Sequence, residues 1–136
     1  MPDIKQKFIG TWKLESIIVK DGNNILYPFG KELKGILFYS ENYMSVQIMM
    51  LMKHNILPEQ ITINHGLLAQ TLKSAGYLGY FGTYKINEDK EMIIHNVEGS
   101  IAQRVTGWEQ SRKYKFEDGK LILSSGNMGL TWVREE

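Results

Sequence analysis

Apolar and polar side chains alternate along most of this chain, and turn residues interrupt the alternation at regular intervals. A period of two is the pattern of a half-buried strand. Asp21-Gly22-Asn23-Asn24, Ser40-Glu41-Asn42, Asn87-Glu88-Asp89-Lys90 and Glu117-Asp118-Gly119-Lys120 each separate two runs rich in Ile, Leu, Val, Tyr, Phe or Trp. Asp-Gly between two such runs is the strongest short hairpin signal. The runs predict strands over residues 10–20, 25–27, 35–39, 43–50, 77–86, 91–99, 107–116, 120–125 and 130–134. Short strands following one another without a long crossover predict an all-β fold. The expected form is an antiparallel, up-and-down barrel of eight to ten strands, spanning residues 1–136 as a single domain.

One segment departs from the period of two. Over 58–75, Ile61, Leu68 and Leu72 fall seven and four residues apart, on one face of a helix. Pro58 suits a first helical turn and Gly76 the position just past the end, whereas Gly66 weakens the helix by about 1 kcal/mol. A lone helix in a small barrel is expected to cap one open end. The apolar run 49–57 leads into it, with Met49, Met50 and Met52 close together. Unbranched Met side chains adapt to varied shapes, so the run reads either as a repacking lid or as a strand extension buried under the helix.

Alternation also assigns faces. In 107–116, Glu109, Ser111, Lys113 and Lys115 form a solvent face, which turns Trp108, Gln110, Arg112, Tyr114 and Phe116 inward. An inward Gln and Arg among aromatic rings need partners, water or a ligand. In 43–50 both faces are largely uncharged, which makes Ser45 and Gln47 candidate hydrogen-bonders in a cavity. His95 shares a face with Ile93 and Val97, opposite Asn96 and Glu98, so it forms no local dyad with Glu98. Gly79 and Gly82 within a strand read as barrel bends or close packing. Tyr80, Tyr84 and Trp132 add aromatic wall suited to an apolar or aromatic ligand.

Composition sharpens this picture. The chain has 136 residues, of which 43% are hydrophobic, enough for one core. Lys plus Arg number 16 and Asp plus Glu 15, a balance that gives no electrostatic reason to expect nucleic acid or an anionic membrane surface. There is no Cys, which excludes disulfides, zinc–thiolate sites and cysteine nucleophiles. His54, His65 and His95 lack metal-ligand spacing, and no nucleophile elbow, phosphate loop or dinucleotide fingerprint occurs. No metal and no cofactor are therefore expected. No run approaches the ~18 apolar residues of a membrane helix, and residues 1–9 carry charges unlike a signal peptide. The expected location is the cytoplasm.

Further residues carry a resemblance. Gly10-Thr11-Trp12 resembles the G-x-W opening of lipocalin-type barrels. Tyr27-Pro28-Phe29-Gly30, Gly35-Ile36-Leu37-Phe38-Tyr39 and Tyr43-Met44-Ser45-Val46-Gln47 follow it in the order seen in the small bacterial lipocalin-like domain family. Tyr80-Phe81-Gly82-Thr83-Tyr84, His95-Asn96-Val97-Glu98, Gly107–Arg112 and Leu130-Thr131-Trp132 continue the similarity almost to the end. The resemblance implies a barrel around a cavity and points to Gln47, His95, Gln110 and Arg112 as its polar positions. It also implies two kinds of function. One is binding of a small hydrophobic or aromatic molecule, for which the faces read above supply Gln47, Tyr80, Tyr84, His95, Gln110, Arg112 and Trp132, with a carboxylate or carbonyl able to face Arg112. The other is a cofactor-independent cyclase or isomerase of polyketide-like biosynthesis, with His95 as candidate acid–base group. A third expectation, from outside the resemblance, is a fully packed barrel that acts as an interaction protein, such as a homodimer.

Overall fold

The structure is a computed structural model, and it describes residues 3–50, 72 and 76–135. The helix expected over 58–75 and most of the apolar run 49–57 lie outside the described residues. At the edge of that segment Leu72 is helical, and Gly76, at φ +73°, donates its N–H to Leu72 O at 2.9 Å. Gly76 thus takes the left-handed conformation that favours glycine.

The described residues form a short helix and nine strands: α1 (Ile4–Phe8), β1 (Gly10–Asp21), β2 (Asn24–Leu26), β3 (Leu33–Tyr39), β4 (Tyr43–Met50), β5 (Tyr77–Asn87), β6 (Met92–Ser100), β7 (Glu109–Glu117), β8 (Lys120–Ser125) and β9 (Met128–Glu135). All pairings are antiparallel, those from β3 to β9 join neighbours in sequence, and β9 returns to β1 through Thr11↔Glu135 to Val19↔Met128. Eight strands thus close into a barrel. β2 is the extra strand. It pairs with the last residues of β1, while the first residues of β1 pair with β3.

Local chemistry explains the closure. At the β7–β8 hairpin Asp118 and Gly119 have φ of +53° and +76°, the left-handed pair a tight two-residue turn requires. The β5–β6 register shifts between Phe81 and Gly82, where a Cβ on Gly82 would stand 1.7 Å from Asn96 O. Only glycine lets the two backbones approach so closely, and the bend expected at this glycine is the result.

The end of the barrel beneath β3, β7 and β9 is filled by aromatic rings. Phe8 of α1 is fully buried and meets Tyr39, Tyr114 and Phe116 edge-on at 5.5, 5.0 and 5.0 Å. Such contacts each contribute about 0.5–1.5 kcal/mol beyond burial. Trp12 Nε1 donates to Phe8 O at 2.9 Å, and the Arg134 guanidinium lies over the Trp12 ring, 4.2 Å from its centre. Arg134 also donates to Ile9 O and Lys7 O, which ties α1 to β9.

One strand boundary differs from expectation in a way that matters. β7 begins at Glu109, so Trp108 is not part of its inward face and is 51% exposed. Gly107 at φ +89° and the Trp108 N–H bonded to Val105 O hold Trp108 in the preceding turn, although its carbonyl still accepts from Val97 N of β6. Gln110, Arg112, Tyr114 and Phe116 are each less exposed than their neighbours, as the alternation requires.

Candidate ligand-binding site

Above the aromatic floor the lumen is lined by smaller side chains, among them Ile17, Leu37, Val46 and Leu123, and it holds a cavity of about 80 Å³. Phe29, from the loop between β2 and β3, and Leu72 complete the wall. By the ~10–15 Å³ that one water needs, this is room for roughly six non-hydrogen atoms.

A polar chain crosses the lumen at this level. His95 of β6 is buried at 2% exposure, with its Nε2 2.6 Å from the Tyr39 hydroxyl of β3 and its Nδ1 2.7 Å from the Tyr80 hydroxyl of β5. β3 and β6 are not neighbours, so the imidazole bridges opposite walls. The electrostatics follow from burial. Desolvation, with the Arg112 guanidinium adding to it, lowers the His95 pKa from 6.5 to about 3. Desolvation raises the Tyr80 hydroxyl to about 12 and pushes Tyr39 well above its usual value. At neutral pH the chain is uncharged throughout, and the imidazole is a hydrogen-bonding bridge with both nitrogens engaged.

Arg112 lines the same cavity. Its Nη1 donates to Ser111 O at 2.9 Å and its Nη2 to Gln110 Oε1 at 3.3 Å. Among the described residues no carboxylate lies within ion-pair distance of it. Trp132 of β9 lines the cavity as well, and its buried Nε1–H has no partner among the described residues.

Four of the seven residues expected to bind a ligand therefore meet around one cavity: Tyr80, His95, Arg112 and Trp132. Gln110 is not on the cavity wall and contacts it through Arg112. Two lie elsewhere. In β4 the buried face is Met44, Val46, Ile48 and Met50, which turns Ser45 and Gln47 outward, and Gln47 accepts a hydrogen bond from the Tyr77 hydroxyl on the outer surface. Two largely uncharged faces had left the lumen side of β4 open; the bulkier Met, Val and Ile took it. Tyr84 sits opposite His95 in the ladder, yet its hydroxyl donates to Ser40 O at 2.6 Å at the filled end. Phe29 and Ser125 are cavity residues the sequence did not single out. Ser125 carried a signal, since it continues the Leu121, Leu123 face at the period of two. Phe29 sits in a loop, where no periodicity applies.

Among the described residues no cluster of His, Cys, Asp or Glu could hold a metal ion, and no helix is long and apolar enough to cross a membrane. A search of curated proteins found no match to the chain. Among solved structures, the chain is similar to an uncharacterized protein from Bacteroides eggerthii, with 13% identity over 94% of this chain and 99% of that one and a TM-score of 0.52. A variant of the fluorescent protein UnaG aligns with 15% identity over 96% of this chain and 98% of that one, at a TM-score of 0.40. The lipocalin-like domain family model matches residues 9–132, which takes in β1 and all but the last residues of β9, and the chain belongs to that family.

Proposed function

We propose that the barrel binds a compact, largely apolar molecule in its lumen. The observation that carries this is the cavity of about 80 Å³ left between largely aliphatic walls, with a few polar groups among them. Burial of the ligand's apolar part would contribute roughly 25 cal/mol per Å² removed from water, and the polar groups would fix its orientation. Use of the same cavity by a cofactor-independent isomerase or cyclase is the second reading. It would depend on hydrogen-bond donation to the substrate, because both His95 nitrogens are occupied and burial holds the imidazole pKa at about 3. A base so weak and so engaged makes binding the first reading.

The test is a titration of the whole chain with compact aliphatic and aromatic molecules of varied head group, read by thermal shift and native mass spectrometry. Val46→Phe, which places a ring in the cavity, is the companion variant. Saturable one-to-one binding that Val46→Phe removes is the expected result. Binding unaffected by that variant would move the site out of the lumen, and no binding by any member would overturn the reading.

A further inference from the structure

The polar groups around the cavity are almost all donors. Arg112 can only donate, and two of its five N–H groups are engaged. Ser125 supplies one hydroxyl able to serve either way. The remaining group is Tyr80, and the direction of its hydrogen follows from proton counting.

A neutral imidazole has one donor and one acceptor nitrogen. If Nε2 carried the proton, it would donate to Tyr39, whose own hydroxyl hydrogen would then have no acceptor. Tyr39 is buried off the cavity wall, and His95 is its single hydrogen-bond partner among the described residues. An unpaired buried hydroxyl costs more than one hydrogen bond contributes. With the proton on Nδ1, Tyr39 donates to Nε2, Nδ1–H donates to the Tyr80 oxygen, and the Tyr80 hydrogen is released toward the cavity that Tyr80 lines. The one hydrogen left over then sits on Tyr80 at the cavity, where a bound acceptor can take it, and not on Tyr39, which is off the cavity wall.

We infer that the molecule held in the lumen presents a carboxylate, which takes hydrogen bonds from Arg112 and Tyr80, and that His95 is the positioning residue that turns the Tyr80 hydroxyl toward it. The inference rests on the binding reading above. A carboxylate is acceptor-only, carries the charge that an Arg without an ion pair among the described residues calls for, and offers enough lone pairs for both. An ammonium group would bring further donors to a site already crowded with them, beside a guanidinium. An alcohol oxygen can accept from both but carries no charge to meet the guanidinium and brings a hydrogen of its own.

Butanoate, propanoate, butan-1-ol and butylamine, titrated into the intact protein and followed by NMR, test this. The two carboxylates should bind at least about tenfold more tightly than the alcohol and the amine, with Arg112→Gln removing that preference and Tyr80→Phe reducing it several-fold. In the same sample, long-range proton–nitrogen correlation of the imidazoles reports the tautomer, with His95 assigned by comparison with His54→Gln and His65→Gln. The expected form is protonated on Nδ1. Equal affinities for acid, alcohol and amine would overturn the carboxylate while leaving lumen binding intact, and failure of all four probes would overturn both. Protonation on Nε2 would overturn the role given to His95 and Tyr80 whatever the probes do.

Discussion

The cross-lumen chain predicts how stability responds to acid. An imidazole whose pKa is about 3 in the folded state and 6.5 when solvated binds a proton in the unfolded chain before it does so in the fold. Between those two values the unfolded state holds more protons, so stability falls as pH falls, by up to about 1.4 kcal/mol per pH unit. Above pH 6.5 the imidazole is neutral in both states and contributes no slope. From pH 7.5 to 4.5 the loss from this residue comes to about 2.7 kcal/mol. The groups facing the ring are the hydroxyls of Tyr39 and Tyr80, the neighbouring Tyr84 and the Arg112 guanidinium, none of which changes charge over that range in the direction needed to cancel it. The comparison is the wild type against His95→Gln, whose amide can bond both tyrosines without titrating. Urea unfolding followed by Trp fluorescence at several pH values gives both curves. His95→Gln should start less stable at pH 7.5, and the gap should narrow by about 2.7 kcal/mol on reaching pH 4.5. Parallel curves would refute the neutral buried imidazole, and with it the proton counting that orients Tyr80.

Three further outcomes can be checked by the same unfolding assay. Gly82→Ala should cost at least about 3 kcal/mol or prevent folding, because its Cβ meets backbone at 1.7 Å, whereas Gly22→Ala, with open space around it, should cost only the ~1–2 kcal/mol of its left-handed conformation. Arg134→Met should cost about 2–3 kcal/mol through the loss of donors to Ile9 O and Lys7 O and of the cation over Trp12, with butanoate affinity unchanged. Tyr84→Phe should cost about 1 kcal/mol through the lost bond to Ser40 O and leave the ligand titration within about twofold of wild type, since Tyr84 is not on the cavity wall.

The barrel was legible in the sequence because closure depends on local signals. Turn residues at Asp118-Gly119 and alternation in β6 set hairpins and faces within a few residues of where they act, and His95 between Ile93 and Val97 could be placed inward from that alone. β4 shows where the signal runs out. With Ser and Gln on one face and Met, Val and Ile on the other, burial chooses the apolar set for the lumen, and Gln47 goes outside. Height along the barrel axis was not readable either. Tyr80 and Tyr84 are both inward and four residues apart, but one lines the cavity and the other bonds Ser40 at the filled end. Trp108 failed for a third reason: Gly107 has positive φ, and the strand begins at Glu109, two residues later than expected.

Those heights explain why the barrel is half packed and half hollow. Toward α1 the lumen receives Phe8, Trp12, Tyr39, Tyr84, Tyr114 and Phe116, rings large enough to fill an eight-stranded interior. Above them the inward positions pass to Ile17, Leu37, Val46 and Leu123, and the volume those side chains lack is the cavity. Two hydroxyls and an imidazole sit at the boundary. A tyrosine reaching up from the floor has its ring packed in the aromatic layer and its oxygen at the level where packing ends, so it needs a partner there, and His95 supplies one. The same imidazole hands the unpaired hydrogen to Tyr80, on the cavity side. The polar chain is thus a consequence of where the aromatic layer stops, and its free end, with Arg112, is what gives an otherwise apolar cavity a preferred orientation for its occupant.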